Sequence, residues 1–437
     1  MPTLQGASRA SSFISLFKTI VGAGLLSMPL AFSTDGMAGG VLIVLLAAIT
    51  SGYGLFLQAY VSKYVATGHA TFFNVCSATY PALSVVFDLA IAIQCFGCAV
   101  SFLVLIGDLM PTVVPMIPGV PADRVRTFWI VASAAPCVPL SFLKNLDSLK
   151  STSVMGLGAI AYLCALVVCE KALGHVPAEL TGPIRLTPAS LEGVFSTFPI
   201  MVFAFSGHQN MFSIINEAQD KSLASLTALI KATILCASFL FIIVGVSGYL
   251  TFGNLVGGNV VLLYPSSFWT QFGRFAIVFM VVFLFPLMIH PARISVNNIH
   301  HWVSERVSGS IGRSSQSAND ETYTLLGDGE SSPSFKPQRI VVPFPQNTFF
   351  IITIVLLAVA YTLAVTLESF ALVIAVIGAT GSTSISFILP GLFGYKLIGS
   401  EAETPSKRER TLRLFALFLT IWGFAVMAVC LYASLAL

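Results

Sequence analysis

Long apolar segments alternate with short polar ones along almost the whole chain. An α-helix rises about 1.5 Å per residue, so about 20 apolar residues are enough to cross a bilayer. The pattern therefore predicts an all-α polytopic membrane protein with about 11 transmembrane helices. The predicted spans are 13–32, 37–61, 82–110, 126–143, 151–173, 191–215, 222–252, 266–290, 347–367, 369–396 and 411–435.

The first span is interrupted near its middle. It reads KTIVGAGLLSMPL from Lys18 to Leu30, with Gly22 and Gly24 on either side of an alanine and Pro29 downstream. Such residues break helices and release backbone N–H and C=O groups, which a membrane tolerates only beside protein or a polar cavity. The interruption predicts that this span lines a site and is not a plain anchor.

The sixth span carries a second interruption. It reads STFPIMVFAFSGHQN from Ser196 to Asn210, with Pro199 in its first half and Ser206 and Gly207 past its middle. Each interrupted span is the first of a set of five, which is typical of inverted-repeat transporters that bind substrate where both helices unwind. Within one transport domain, we predict five-helix repeats at 11–173 and 191–397 and an additional helix at 411–435.

Two unwound helices facing each other can hold a zwitterion. The N–H groups at the start of a half-helix attract a carboxylate, and the freed carbonyls attract an ammonium group or a cation. Gly22, Gly24 and Gly207 allow a ligand to approach the backbone. The alternative is that these glycines only permit close helix packing. Two interruptions in corresponding positions favour the site.

The segments FKTIVGAGLLSMPLAF (Phe17 to Phe32) and FPIMVFAFSGHQNMFSIINE (Phe198 to Glu217) resemble the amino acid/auxin permease family, especially its fungal-type vacuolar amino-acid transporters. The resemblance implies the leucine-transporter-like fold of five plus five inverted helices with an eleventh helix. It implies secondary transport of free amino acids, and it favours a vacuolar or lysosomal membrane over the plasma membrane. The substrate-binding residues that it implies are Gly22, Ala23, Gly24, Leu25, Phe205, Ser206 and Gly207.

Lys18 bears on the coupling ion because it lies one helical turn before Gly22, on the same face. A lysine at membrane depth usually has a partner or a function, although one near a helix end can also extend to the surface. In the sodium-coupled relatives that the resemblance brings in, an asparagine matches Lys18 and an eighth-helix hydroxyl matches Leu284. Both differences favour protons over sodium. The predicted ion-coupling residues are Lys18 and His208, and Asp88, Asp108, Glu217 and His290 are further candidates for carrying a proton.

Composition and charge narrow the classes of function. Of the 437 residues, 56% are hydrophobic and only 9% are charged, which excludes an ordinary soluble globular protein. The net charge of +3 comes from loops and indicates no nucleic-acid partner. The sequence has no H-E-x-x-H motif, nucleophile elbow or phosphate loop. We therefore predict no enzyme activity, no metal and no cofactor.

The distribution of basic residues predicts the orientation. If the N-terminus is cytosolic, 17 of the 22 lysines and arginines lie on or near the cytosolic side, which agrees with the positive-inside rule. The five on the opposite side are Arg124, Arg126, Lys171, Arg185 and Arg274.

One long polar segment, 291–346, is rich in serine and predicts a disordered cytosolic loop. Inside it, Glu321–Leu326 reads ETYTLL, which matches patterns bound by sorting adaptors but also arises by chance in linkers. Two alternative functions remain open at this point, an amino-acid sensor with the same site and a sodium-coupled transporter. The sequence leaves open which amino acid is carried, in which direction, and the oligomeric state.

Overall fold

The computed structural model describes residues 6–143, 152–309, 344–401 and 404–436. Within these ranges every named element is helical, and one parallel bridge pairs Ala7 with Ala218. The α-helices are α1 (Arg9–Ile20), α2 (Met28–Asp35), α3 (Met37–Val61), α4 (Phe72–Thr79), α5 (Ser84–Val113), α6 (Val125–Ala132), α7 (Ala134–Ser141), α8 (Thr152–Leu173), α9 (Leu191–Ala204), α10 (His208–Glu217), α11 (Leu223–Phe252), α12 (Phe268–Gly309), α13 (Gln346–Thr366), α14 (Phe370–Ile377), α15 (Leu389–Leu397) and α16 (Lys407–Ala436).

All eleven predicted spans fall on helical segments. In the described ranges, eight helical segments are long and apolar enough to cross a membrane. The pair formed by α1 and the segment Ala23–Asp35, bent by 45°, adds a ninth. The predicted fourth and sixth spans coincide with the shorter pairs α6–α7 and α9–α10. The helical architecture is therefore as predicted, while the number of eleven crossings stays a prediction.

Helix α12 extends beyond the predicted span. The apolar pattern ends at residue 290, but the helix continues to Gly309. It contains two prolines, Pro286 and Pro291. Apolar periodicity reports burial in lipid or protein, whereas helical hydrogen bonding can continue past the point where burial ends. Residues 291–309, predicted as part of a disordered loop, are thus helical. The proposed sorting pattern Glu321–Leu326 lies outside the described residues.

Packing brings the two interruptions together. Helix α9 packs against α2 and against the 3-10 turn Ala23–Ser27 that precedes it. Helix α5 packs along α12, and α13 joins both of them. Helix α11 covers α2 and α3, while α16 lies against α15 and α9. The broken helices are therefore held between two sets of long helices.

Arg126 ties three helices together at one end of this scaffold. Its Nε donates to Asp108 Oδ1 at 3.0 Å, so that α6 is joined to α5. Its Nη2 donates to the carbonyl of Leu367 at 2.8 Å, and Nη1 donates to that of Ala364 at 3.3 Å, at the end of α13. A charge in a protein interior is tolerated when it is paired and hydrogen-bonded in this way.

Arg293 forms a similar link at the opposite end of α13. Its Nη1 donates to the carbonyl of Ser141 at 2.9 Å and to Thr353 Oγ1 at 3.1 Å. Its guanidinium group lies 4.0 Å from the centre of the Phe349 ring. These contacts hold α7, α12 and α13 together, so both ends of α13 are fixed to the scaffold by an arginine.

Candidate functional site

The first interruption follows α1. The helix ends at Ile20, and Gly22 is extended, with φ −139° and ψ −145°. A short 3-10 turn, Ala23–Ser27, follows, and its first N–H groups have no partner inside the turn. Pro29 then lies in the first turn of α2, where a missing N–H costs no helical hydrogen bond. The sequence thus breaks the helix and restarts it within a few residues.

The second interruption separates α9 from α10. Residues 205–207 leave helical geometry, and the N–H of Ser206 turns back to the carbonyl of Phe203 at 3.0 Å. The N–H of Asn210 bonds to the carbonyl of Gly207 at 3.2 Å as the next helix begins. The glycine allows the close approach that this junction needs, because a Cβ there would lie 2.7 Å from Ile20 Cγ1.

A cavity of about 260 Å³ lies between the two interruptions. Its walls come from α1 and the turn after it, α5, α8, the junction of α9 with α10, and α12. The lining residues are Lys18, Thr19, Ile20, Val21, Gly22, Ala23, Gly24, Gln94, Cys98, Phe102, Met155, Gly156, Leu157, Ile160, Phe203, Ala204, Ser206, Gln209, Asn210, Phe279, Met280, Phe283, Leu284, Leu287 and Met288.

The lining has a polar side and an apolar side. Among the described residues that line the cavity, Lys18 is the only charged one. The wall from α12 is entirely apolar, since it consists of two phenylalanines, two leucines and two methionines between Phe279 and Met288. A small number of polar groups in a mostly apolar concavity is typical of sites for small molecules.

Two buried polar atoms beside the cavity have no protein partner. Ser206 Oγ and Gln209 Oε1 make no hydrogen bond within the described part of the chain. Buried polar atoms are nearly always paired, so these two are suited to a ligand or to water. The neighbouring Asn210 is already engaged, because its Nδ2 donates to Thr19 Oγ1 at 3.2 Å.

The predicted glycines occupy different settings. A Cβ on Gly22 would meet nothing within 4 Å, so the backbone there borders open space. A Cβ on Gly24 would instead lie 2.9 Å from Ala204 Cβ and 3.0 Å from its Cα. Gly24 borders the cavity but is needed for the approach of α9, and Gly207 is packed against α1 and does not line the cavity.

Two further predicted binding residues lie outside the lining. Leu25 is fully buried, one residue beyond the last lining residue of the first interruption. Phe205 is also fully buried, and its ring meets that of Phe241 on α11 edge-on at 4.9 Å. Of the sequence-predicted binding set, the structure places Gly22, Ala23, Gly24 and Ser206 at the cavity.

His208 joins helices behind the cavity. It is fully buried, and its Nε2 donates to the carbonyl of Ser51 at 3.1 Å. Its Nδ1 lies 2.9 Å from Ser386 Oγ, and Gln58 Nε2 donates to its carbonyl at 3.2 Å. A Cβ on Gly54 would lie 2.8 Å from the ring. The ring links α10 to α3 and to the segment before α15, and it does not line the cavity.

Gln94 lines the cavity but does not belong to the set of residues predicted from the sequence. Its Oε1 accepts from Ser382 Oγ at 2.7 Å, and its Nε2 lies 3.5 Å from Cys98 Sγ. Ser382 lies in a π-helical stretch, Gly378–Ser382, within the tenth predicted span. Single π-turns often occur at functional sites. The small residues of this stretch, Gly-Ala-Thr-Gly-Ser, are the sequence feature that could have indicated a functional position here.

The other candidates for proton transfer lie away from the cavity. Asp88 accepts from Asn298 Nδ2 at 3.1 Å, and His290 Nδ1 lies 3.0 Å from Arg293. Asp108 is paired with Arg126, and Glu217 is at the end of α10. In the ranges described, no group of three His, Cys, Asp or Glu side chains could hold a metal ion.

Beyond the interruptions the helices close together. Ser27 Oγ donates to the carbonyl of Gly258. Further along, the hydroxyl oxygens of Thr34 and Thr197 lie 2.9 Å apart and join α2 to α9. No residue of α2 lines the cavity. The cavity therefore extends from the interruptions toward the N-terminal end of α1 and not toward α2.

Comparison with known sequences shows similarity along the whole chain. The family model described as "Transmembrane amino acid transporter protein" matches residues 5–436. "Vacuolar amino acid transporter 7" of Saccharomyces cerevisiae is 37% identical and aligns over 98% of each chain. "Vacuolar amino acid transporter 5" of Schizosaccharomyces pombe is 37% identical over 98% of this chain and 94% of its own. Human "Sodium-coupled neutral amino acid transporter 7" is 30% identical over 56% of this chain and 55% of its own.

A solved structure shares the fold. The "Crystal structure of MhsT in complex with L-phenylalanine" matches with a TM-score of 0.56, covering 97% of this chain and 99% of the other. The sequence identity is only 13%. The likeness therefore shows a common leucine-transporter-like fold.

Proposed function

This chain belongs to the family of transmembrane amino acid transporter proteins, and we propose that it carries its substrate through the cavity by proton-coupled secondary transport. It is an amino-acid transporter of the membrane and not an enzyme. The observation that supports the proposed route is a cavity bounded by both helix interruptions. An interrupted helix pair is where transporters of this architecture bind substrate.

We place the protein in the vacuolar membrane, as its fungal relatives suggest, with its N-terminus in the cytosol. The bias of basic residues supports this orientation. In it, the cavity faces the cytosol and the closed contact of α2 with α9 faces the lumen. In alternating access, the cytosolic side of the cavity would close and the contact of α2 with α9 would open. The segments 11–173 and 191–397 would act as inverted repeats around the cavity.

The substrate is a free amino acid held by its charged ends. We assign its carboxylate to the backbone at Gly22 and Ala23, where the new helical turn begins and open space borders the chain. Its ammonium group suits the unpaired oxygens of Ser206 and Gln209. The apolar wall from α12 is left to receive the side chain.

We assign ion coupling to Lys18 and a positioning role to His208. Lys18 lines the cavity beside the interruption, while both ring nitrogens of His208 are engaged behind it. Leu284 lines the cavity from α12 and offers no oxygen to a sodium ion. The human relative named as sodium-coupled makes sodium the second candidate ion.

Uptake into proteoliposomes tests the coupling. We expect a pH gradient to drive accumulation of a labelled amino acid without sodium. Lys18→Gln removes the charge and keeps a side chain of similar length. It should lower pH-driven uptake by about tenfold, because the loss of a hydrogen bond to a charged group costs about 1.5 kcal/mol or more. The matched control Lys18→Arg keeps the charge and should retain more activity.

Other outcomes would point elsewhere. Uptake that needs sodium and ignores pH would contradict proton coupling. Unchanged uptake by Lys18→Gln would leave Lys18 as a residue that only extends toward the surface. Counterflow of labelled amino acid separates transport from sensing, because a protein that only senses amino acids would bind substrate and show no exchange.

A further inference from the structure

Asp35, the last residue of α2, is completely buried on the closed side of the molecule. Its Oδ1 accepts hydrogen bonds from Thr34 at 3.1 Å and from Thr197 at 3.2 Å. Its Oδ2 is buried and has no hydrogen-bond partner among the described residues. No cationic side chain within the described ranges pairs with it. An ionised carboxylate in such a place is strongly disfavoured.

The hydroxyl groups around Asp35 supply too few protons for an ionised carboxylate. Thr34 Oγ1 also lies 2.9 Å from the carbonyl of Ala31, and Thr197 Oγ1 lies 3.0 Å from that of Gly193. Each hydroxyl has one proton, so it can serve either its helix carbonyl or the carboxylate. A proton on Asp35 Oδ1 can be donated to Thr197 Oγ1 on α9, and both threonines then keep their carbonyl bonds.

The position of this group separates it from the cavity. Gly24 and Ala204 pack against each other between the cavity and α2, and neither Asp35 nor Thr197 lines the cavity. The Thr34–Thr197 link joins α2 to α9, which must separate for the opposite side to open. A proton on Asp35 can therefore exchange only from the side opposite the cavity.

We propose that Asp35 is a proton-binding site served from the lumen, and that the bound proton stabilises the closed contact between α2 and α9. The inference rests on the proposed orientation and transport function. It involves two different protons, one that is coupled to transport and one on Asp35 that regulates opening. The regulatory proton returns to the lumen when the contact opens, so it is not carried across the membrane.

Among the described residues around Asp35, no other group could take over this role. Arg185 and Glu192, on the segments that pack against this end of α2, are exposed. The buried hydroxyl of Tyr249 on α11 accepts from the N–H of Arg185 at 2.7 Å. The remaining titratable groups of α3 and α11 are Tyr53, Tyr60, Lys231 and Cys236, and none of them lies at the end of its helix that is next to Asp35.

The direction of the effect follows from linkage. If the closed state binds the proton more tightly, a lower lumenal pH raises the population of the closed state. Opening toward the lumen then becomes less frequent. Exchange should slow when lumenal pH falls at constant cytosolic pH, apart from any effect of the coupled proton.

The test uses the full chain in oriented proteoliposomes, with lumenal pH varied from about 7.5 to about 5, a range above that of exposed carboxyl groups in which buried carboxyl groups without a cation titrate. The readouts are counterflow of labelled amino acid and the ratio of protons to amino acids. The wild type should slow by about threefold or more, a modest population shift. Asp35→Asn should lose this slowing and keep the wild-type ratio. Glu192→Gln, an exposed carboxyl on α9, is the matched control and should behave as the wild type.

A second variant keeps the test independent of how Asp35→Asn folds. Thr197→Val removes the oxygen that accepts the proton of Asp35, so the pH midpoint of the slowing should fall by about half a unit or more. An unchanged midpoint in Thr197→Val, or wild-type slowing in Asp35→Asn, would overturn the proposal. A lower ratio of protons to amino acids in Asp35→Asn would also overturn the proposal, because Asp35 would then be the group that couples protons to transport. Absence of pH-driven uptake in the wild type would instead refute the proposed function.

Discussion

Glycines of one motif serve different purposes, which a comparison of Gly22 with Gly24 makes clear. Both stand in the same Gly-Ala-Gly sequence and both border the cavity. Only Gly22 has space for a side chain, whereas Gly24 touches the backbone of Ala204 on α9. We therefore propose that Gly22 allows the ligand to approach the backbone and that Gly24 allows close helix packing.

Alanine at each position separates the two purposes. Gly22→Ala should fold with near-normal thermal stability but raise the KM for substrate by about tenfold, because the methyl group obstructs a hydrogen bond to a charged carboxylate. Gly24→Ala should instead destabilise the protein by about 1–3 kcal/mol through overpacking against Ala204. Thermal unfolding in detergent and initial rates of uptake measure the two effects. Equal effects of both variants on stability would contradict this division.

At the scale of elements, the start of α1 is fastened to the end of α10. The N–H of Ala7 bonds to the carbonyl of Glu217 at 2.7 Å, and the N–H of Gln219 bonds back to Ala7 at 3.0 Å. Arg9 adds an ion pair with Asp220 at 2.9 Å. The backbone N–H of Ser222, followed by Arg9, holds the pKa of the exposed Asp220 carboxyl below its usual value. Because these contacts join the two half-helices, on the side that we propose to be cytosolic, we expect both to move as a unit.

The backbone contact should matter more than the ion pair, because exposed ion pairs are weak and screened by salt. Arg9→Ala should therefore change the uptake rate by about twofold or less. A Cβ on Gly6 would lie 2.8 Å from Gln219 Cα and 2.9 Å from the carbonyl oxygen of Glu217. Gly6→Val should break the bridge, speed proteolysis of the N-terminal segment and change uptake more than Arg9→Ala. The opposite ranking of the two variants would show that the ion pair dominates.

At the scale of the whole molecule, a scaffold fixed at both ends surrounds the broken helices. Arg126 and Arg293 fix the two ends of α13 to neighbouring helices, whereas hydroxyl groups join α2 to α9 and a backbone bridge joins the start of α1 to the end of α10. Because the two arginines hold α5, α12 and α13 together, we expect α1, α2, α9 and α10 to move relative to these three helices.

Loss of an arginine clamp should therefore affect stability more than substrate recognition. Arg126→Gln leaves the partly buried Asp108 carboxylate without its cation, which should cost about 1–3 kcal/mol. We expect a lower melting temperature and an unchanged KM in the fraction that remains folded. The double variant Arg126→Gln with Asp108→Asn removes both charges and should recover part of the loss. A large change in KM without loss of stability would place Arg126 in the transport pathway.

Local chemistry was readable from the sequence alone. Apolar length predicted the helices, and the Gly-Ala-Gly and Ser-Gly interruptions predicted where two of them break, because backbone preference and lipid burial act over neighbouring residues. The family resemblance predicted the fold and the transport of amino acids, and both are confirmed. Which side of a helix meets which neighbour depends on residues far apart in the chain. Only the tertiary structure could therefore place Phe205 and His208 behind the cavity, bring Gln94 to its wall against Ser382, and bury Asp35 beside Thr197 on the closed side.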